Sequence, residues 1–268
     1  MGWMNPPVTW PELNRALSDR SPTPGRGERF GFPGDGGDSP AWSRKRQAYE
    51  APALVRQRGS VPYAELHCHS HFSFLDGACS PETLVEEAAR LGLEALALTD
   101  HDGFYGVVRF AEAARELGMP TIFGAELTLA RSAAPAGEPD PGAGKGEPHL
   151  VVVARDPRGY ALLARALSEA QLRGEKGARR SSLAELAALG GSAAPVADQG
   201  HWLVMTGCRK GAVASALEAR GTSAAAVELA RLAEAFGRDH VAVELWDHGH
   251  PLDSARNDAL ATVALRSG

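Results

Sequence analysis

The sequence is short of cysteine, of long apolar runs and of targeting signals, and each shortage excludes a class of protein. Only three cysteines occur in 268 residues, at unrelated spacings, so we predict no disulfide framework and a reducing compartment. No apolar run approaches the roughly 18 residues of a membrane span, and no basic flank precedes an apolar core as in a secretory signal. We therefore expect a cytoplasmic protein with no membrane partner.

The chain also lacks a positive charge excess. It carries 28 lysines and arginines against 33 acidic residues, a formal net charge of −5. Because phosphate binding needs a clustered basic surface, this balance gives no electrostatic case for DNA binding by this segment alone. Arg109 and Lys210 are interpreted as salt-bridge residues, with a phosphate contact as the alternative. The length, with 44% apolar residues, suffices for one large α/β domain and a tail.

Residues 1–60 predict a flexible, disordered N-terminal arm. Proline and glycine recur between Pro22 and Pro40 and break any regular period, and there is little apolar side chain to bury. One short helix is predicted at 10–17. The basic cluster Arg44–Arg46 is interpreted as a solvated charge run, with a contact to a partner or nucleic acid as the alternative.

From residue 61 the sequence alternates between strand and helix patterns, which predicts the α/β class, with a barrel as one closed form. Strands are predicted at 63–69, 95–98, 120–126, 149–153, 201–206 and 240–245, and helices at 81–91, 104–117, 157–173, 183–189, 211–219, 222–236 and 251–265. A surface loop is predicted at 131–147 and a basic turn at 174–180. Because the last helix has no strand after it, we expect 61–268 to be a C-terminally incomplete barrel domain.

The first predicted strand carries the pattern His67-Cys68-His69. Side chains two apart on a strand share a face, so both imidazoles are expected to point to one place. Neutral imidazole nitrogens there suit zinc, manganese or iron. The alternative is a polar surface strand that happens to be rich in histidine.

Residues able to bind metal recur at the ends of the predicted strands, where α/β barrels place their ligands. The set is His67, His69, Asp76, His101, Glu126, His149 and Cys208. Any one of them alone is also explained as a residue that caps or solubilises a loop. The recurrence of histidine, carboxylate and thiol at these positions favours a metal site.

Several motifs together resemble a known family. They are Leu66-His67-Cys68-His69, Ser73-Phe74-Leu75-Asp76-Gly77, Leu98-Thr99-Asp100-His101-Asp102, Phe123-Gly124-Ala125-Glu126, and the blocks beginning at His149 and Thr206. This set is similar to the polymerase and histidinol phosphatase (PHP) domain at the N-terminus of bacterial C-family DNA polymerase III α-type subunits. The arm and the segment from Glu244 to Asp253 resemble the error-prone branch. The resemblance implies a distorted (β/α)7-type PHP barrel, here truncated before its last strand.

The resemblance also implies a cofactor and a site. A cluster of three zinc or manganese ions would be bound by the seven residues at the strand ends, with Glu126 bridging. Such a cluster is either a 3′–5′ exonuclease or a structural relic. The family's last ligand pair, Asp-x-His, would lie beyond Gly268, and the error-prone branch often lacks its acidic member.

The whole protein implied by this resemblance is an error-prone DNA-directed DNA polymerase, a nucleotidyltransferase of translesion synthesis, DNA replication and repair. Its partners would be primer–template DNA, deoxynucleoside triphosphates and replication or damage-tolerance proteins, and magnesium is expected in its polymerase core. This segment has no polymerase active site. Two alternatives remain: a stand-alone metal-dependent phosphoesterase of the PHP superfamily, and a non-catalytic scaffold domain, which metal content would distinguish.

Overall fold

The computed structural model describes residues 49–56, 61–130, 147–173 and 181–268, and Glu50–Gly268 form one compact unit. The predicted helix at 10–17, the Arg44–Arg46 cluster, the predicted turn at 174–180 and nearly all of the predicted loop at 131–147 lie outside the described residues. The disordered arm therefore stays a prediction.

The described residues form a mixed α/β fold with six strands and seven α-helices. The strands are β1 (Ala64–Glu65), β2 (Ala95–Leu98), β3 (Thr121–Thr128), β4 (His149–Ala154), β5 (Trp202–Met205) and β6 (Val241–Ala242). The helices are α1 (Pro81–Leu91), α2 (Val107–Leu117), α3 (Pro157–Arg173), α4 (Leu183–Gly190), α5 (Ala212–Arg220), α6 (Thr222–Phe236) and α7 (Asp253–Ser267). This confirms the predicted α/β class.

The six strands form one sheet in chain order, and its fourth strand reverses direction. β1, β2 and β3 are parallel, β4 is antiparallel to both β3 and β5, and β6 is parallel to β5. Because β4 runs backwards, its first residue, His149, lies at the edge where its neighbours end. The sheet curls into a half-barrel, so that Glu244 after β6 reaches His67 after β1, with 2.7 Å between Oε1 and Nδ1.

Most predicted strands match the structure, but the first and the sixth are much shorter than predicted. The prediction of a strand at 63–69 is wrong beyond Glu65, because the backbone there leaves the ladder: the His67 amide donates to the Glu65 carboxylate at 3.0 Å. The sixth strand ends at Ala242, and the Glu244 amide donates to the Thr206 hydroxyl instead. His67 and His69 therefore lie on an irregular segment.

The helix ends agree with their sequence signals. The Ser80 hydroxyl caps α1 by accepting from the Thr83 amide, Pro81 occupies the first position, and Gly92 ends the helix in the left-handed conformation. Ser182 and Glu185 form a reciprocal capping box at the start of α4. These local interactions mark the two ends of α1 and the start of α4.

The sheet buries apolar side chains on both faces. Along β4, Leu150 and Val152 belong to a large core shared with the helices, where Trp202 and Leu163 are almost completely buried. Val151 and Val153 alternate with them and pack with Met205 in a smaller core on the other face. Burial on both faces explains why these strands are continuous apolar runs, and the rigid sheet positions the polar residues at its edge.

Candidate metal centre

Four histidines and one glutamate converge at the edge where β1, β2 and β3 end and β4 begins. His67 and His69 follow β1, and His101 follows β2. Glu126 lies in β3, and His101 forms an isolated parallel β-bridge with it. His149 begins the antiparallel β4, so the reversal of this strand is what brings it to the same edge.

The Glu126 carboxylate is the centre of this cluster. Its Oε2 lies 2.8 Å from His69 Nε2, 3.4 Å from His101 Nδ1 and 3.5 Å from His67 Nε2. Its Oε1 lies 2.9 Å from His149 Nδ1. The glutamate side chain is only 1% exposed. One buried carboxylate thus contacts all four imidazoles.

These residues fall into two groups that share Glu126 and could each hold an ion. The first is His67, His69 and Glu126, and the second is His101, Glu126 and His149, with the ligand atoms of each group within 4.8 Å of one another. Each group contains one pair of histidines, and the Glu126 carboxylate belongs to both groups. This arrangement suits two neighbouring divalent cations bridged by a carboxylate.

Buried polar atoms in the first group lack hydrogen bonds. Among the described residues, His67 Nε2, His69 Nε2 and Glu126 Oε2 are buried without a hydrogen-bond partner. His69 Nε2 is close to Glu126 Oε2, but without the angles of a hydrogen bond. An unsatisfied buried polar group costs about 1–3 kcal/mol, more when charged. A cation would satisfy all three atoms, and imidazole with carboxylate fits zinc or manganese; the residues present therefore fit a metal.

Charge interactions shift the titration of this cluster. Burial opposes ionisation of Glu126, but the hydrogen bond to His149 and the close imidazoles of His67 and His69 outweigh burial and hold its pKa well below the usual range. Burial lowers the pKa of His67, yet the nearby Glu126 carboxylate and the hydrogen bond to Glu244 raise it to about 10. Burial lowers the pKa of His101, against the attraction of Glu126. A cation bound at His67 Nε2 would compete with a proton for that nitrogen.

Asp76 lies beside the cluster but outside both groups. Its Oδ2 accepts from His101 Nε2 and from Lys210 Nζ, each at 2.8 Å. Burial raises the Asp76 pKa, but these two hydrogen bonds lower it further than burial raises it. Lys210 thus forms a salt bridge with Asp76. Arg109 forms another, with 2.5 Å between its Nε and Glu82 Oε1. Both salt bridges agree with the sequence-based interpretation.

Cys208 is not brought into either group. Its side chain is partly buried and packs against the large apolar core. Its role as a ligand, like that of Asp76, stays a prediction.

The turn that carries Asp76 is fixed from beneath by a buried aspartate. Asp100, 1% exposed, accepts from the Ser70 amide and hydroxyl, both at 2.8 Å, and from the Ser73 hydroxyl at 2.7 Å. Leu75 adopts a φ of 70°, which is unusual for a residue with a side chain. A Cβ at Gly77 would lie 1.9 Å from the Ser70 carbonyl oxygen, so this close approach requires glycine.

Sequence reasoning missed one residue of the site, Glu244. Its Oε1 lies 2.7 Å from His67 Nδ1, and its Oε2 is buried without a hydrogen-bond partner among the described residues. Binding Nδ1 in this way directs His67 Nε2 towards Glu126, as carboxylates behind metal-binding histidines do. The available signal was its place after the last apolar strand, at the same edge as the other ligands.

An open cleft of about 530 Å³ adjoins the cluster. Asp76, His101 and His149 line one part of it, and Phe72, Phe74 and Tyr105 line another. The second group is therefore accessible to solvent through this cleft, and part of the cleft wall is aromatic. A substrate could reach the cluster by this route.

The match to known families agrees with this geometry. The family model of the PHP domain matches residues 65–248. An error-prone DNA polymerase of Nocardia farcinica is 48% identical over all of this chain and 26% of its own length. One of Mycobacterium bovis is 51% identical over all of this chain and 23% of its own length. The chain spans about a quarter of the length of the curated relatives it matches.

Among solved structures, a metal-dependent phosphoesterase from Bifidobacterium adolescentis is similar, with 18% identity, a TM-score of 0.45 and coverage of 78% of this chain and 85% of its own.

Within the residues that the structure describes, no helix is both long and apolar enough to cross a membrane.

Proposed function

The chain belongs to the PHP domain family, and we propose that it is the PHP portion of an error-prone DNA polymerase, with a metal site centred on Glu126 that removes nucleotides from 3′ ends of DNA. The observation that carries the metal site is the sharing of one buried carboxylate by two histidine pairs, with three buried atoms left without hydrogen bonds. The polymerase part rests on the names of relatives that are 46–51% identical.

The proposed ligands are divided between two ions. His67 and His69 would hold one, His101 and His149 the other, and Glu126 would bridge them. Asp76 and Cys208 remain proposed ligands for a third ion, implied by the family. Zinc or manganese suits these donors better than magnesium, because four of the five central ligands are imidazoles.

The protein's own residues hold the site in shape and open it on one side. Bound divalent ions would supply Lewis-acid activation of a phosphate and a lowered pKa for an attacking water. Glu244 fixes the orientation of His67, and Asp100 fixes the turn that carries Asp76. The cleft admits a phosphodiester to the side where His101 and His149 lie. Preorganised ligands avoid the cost of rearrangement during the reaction.

For the whole protein we propose nucleotidyl transfer on primer–template DNA with deoxynucleoside triphosphates, in the cytoplasm, during translesion synthesis and DNA repair. Magnesium would serve its polymerase core, and replication or damage-tolerance proteins would be its partners. The stand-alone phosphoesterase is less well supported, because relatives near 50% identity that align over the whole chain are named as polymerases. The scaffold hypothesis is opposed by the buried atoms that a cation would satisfy.

Metal content of the purified chain tests the proposed site. We expect about two or three zinc or manganese ions per chain by elemental analysis, and their joint loss in Glu126→Gln, since this change removes the shared charge and keeps the shape. Glu82→Gln is the control, because Glu82 is a partly buried carboxylate outside the cluster that pairs with Arg109. Folded wild-type protein without metal would instead support the scaffold.

A further inference from the structure

Phe74 and Tyr105 expose aromatic rings on the wall of the cleft. Phe74 is 85% exposed and Tyr105 is 47% exposed, and both line the cleft with His101 and His149. Single exposed apolar side chains are common on protein surfaces, but several gathered in one cleft are typical of a ligand-binding groove. Phe72, which is only partly buried, adds a third ring to the same wall.

Both exposed rings stand on rigid supports. Phe74 lies in the turn between Ser73 and Gly77, where the amides of Asp76 and Gly77 donate to the Ser73 carbonyl. The hydrogen bonds of buried Asp100 hold this turn to the sheet. Such a turn fixes the backbone of Phe74, which reduces the entropy lost when a ligand binds.

Tyr105 is held by different contacts. A Cβ on Gly103 would lie 2.3 Å from the Tyr105 ring, so the ring packs closely on the backbone at that glycine. Gln171 Nε2 donates to the Tyr105 hydroxyl at 3.3 Å. The Tyr105 ring and hydroxyl are therefore held by these contacts, while nearly half of the side chain stays exposed.

The chemistry of the cleft selects the kind of ligand. Its volume of about 530 Å³ lies within the range of about 300–1,000 Å³ common for small-ligand sites. Two basic residues of this region, Arg109 and Lys210, already pair with Glu82 and Asp76. A ligand here gains affinity from flat apolar surface beside a metal-bound phosphate, and a nucleobase supplies that surface whatever its sequence.

From this geometry we propose that Phe74 and Tyr105 stack on the base of the 3′-terminal nucleotide of single-stranded DNA while its phosphodiester lies at His101 and His149. The inference rests on the proposed function and adds the residues that recognise the substrate. A base-paired end cannot stack its terminal base on these rings without unpairing, so the site selects frayed or mismatched ends.

Binding of short oligonucleotides tests this directly. The probe is a fluorescent single strand of about eight nucleotides with a phosphorothioate at its last linkage, made with a normal 3′ end, an abasic 3′ nucleotide or an abasic 5′ nucleotide. We expect wild type to bind the 3′-abasic probe about 5- to 150-fold more weakly than the normal one. The 5′-abasic probe should bind like the normal one.

Substitutions then assign the effect to the two rings. Phe74→Ala and Tyr105→Ala should each weaken binding of the normal probe and leave the 3′-abasic probe unchanged. Tyr105→Phe keeps the ring and should bind as wild type does, and Val196→Ala is the control, because Val196 is an equally exposed apolar residue outside the cleft. Thermal melts check that the variants fold.

Two results would overturn the inference: a wild-type protein indifferent to the 3′ base, or substitutions that weaken normal and abasic probes equally. The second result would show that the rings contact another part of the ligand or of the protein. Metal content measured on the same samples separates the two proposals. Normal metal content with no base dependence removes only the stacking role, whereas folded wild type without metal removes the proposed function.

Discussion

Two clusters of histidine and carboxylate lie at opposite edges of this sheet, and their polar atoms are satisfied in different ways. At one edge, His67, His69 and Glu126 have buried atoms with no hydrogen-bond partner among the described residues. At the other, His201 before β5 binds Asp156 after β4 through Nδ1, at 2.6 Å, and the Ala197 carbonyl through Nε2, at 3.1 Å. Both ring nitrogens of His201 have acceptors.

The difference shows that residue type alone does not identify a metal site. The Asp156 carboxylate also accepts from the Gly159 amide at 2.8 Å and is well exposed, so that corner needs no cation. Glu126 is buried and surrounded by four imidazoles. An incomplete set of hydrogen bonds in a buried place is what distinguishes the candidate metal centre from a structural corner.

The largest expected effect is a loss of folding stability at the edge that carries His201. Trp202 is 1% exposed beside His201, and its Nε1 donates to the Gly159 carbonyl at 2.8 Å. Trp202→Ala should lower the free energy of unfolding by about 3–5 kcal/mol through the cavity and the lost hydrogen bond. Chemical denaturation would measure it. Trp202→Phe, a milder change, should lower stability and leave metal content unchanged; loss of metal in folded Trp202→Phe would show that the edges are coupled.

A smaller effect is expected at the metal edge. Glu244→Ala removes the acceptor that orients His67, so metal affinity should fall about 10- to 100-fold, measured by competition with a chelator. Glu244→Gln keeps a hydrogen-bond acceptor and should lose less metal affinity than Glu244→Ala. Asp156→Ala is the matched change at the other edge and should leave metal affinity alone. Unchanged affinity in Glu244→Ala would contradict the orienting role.

The smallest effect is a pH dependence at the His201 corner. The hydrogen bond to Asp156 raises the pKa of His201 above its usual value. Its stabilisation is therefore complete below the unfolded pKa of about 6.5 and is lost as pH rises through the higher folded pKa. The melting temperature of His201→Gln should therefore fall further below that of wild type at about pH 5.5 than at about pH 8.5. An equal fall at both pH values would show that the pair does not contribute.

Local sequence signals predicted much of this fold. Ser80, Pro81 and Gly92 bounded α1 correctly because capping depends on neighbours in the chain. The apolar runs of β2 and β4 were recognised because both faces of these strands are buried. The strands at 63–69 and 240–245 were predicted too long, since pairing partners and not propensity decide where an edge strand stops.

The ligand set was predictable in part. His67 and His69 were predicted to converge because they are two apart, and they do converge on Glu126, although from an irregular segment. Glu244 was missed because its contact with His67 spans 177 residues and depends on the curl of the sheet. Asp76 and Cys208 were predicted as ligands from their places near strand ends and from resemblance, and the structure leaves both outside the two groups.

The sequence by itself determined the α/β class, the ends of α1 and the family, because these follow from periodicity, capping and short motifs that neighbouring residues define. Only the tertiary structure decided that β4 runs backwards, that His149 thereby joins His101, and that one buried carboxylate serves four imidazoles. Strand direction and the balance of buried hydrogen bonds are set by contacts between distant segments, and no local pattern encodes them.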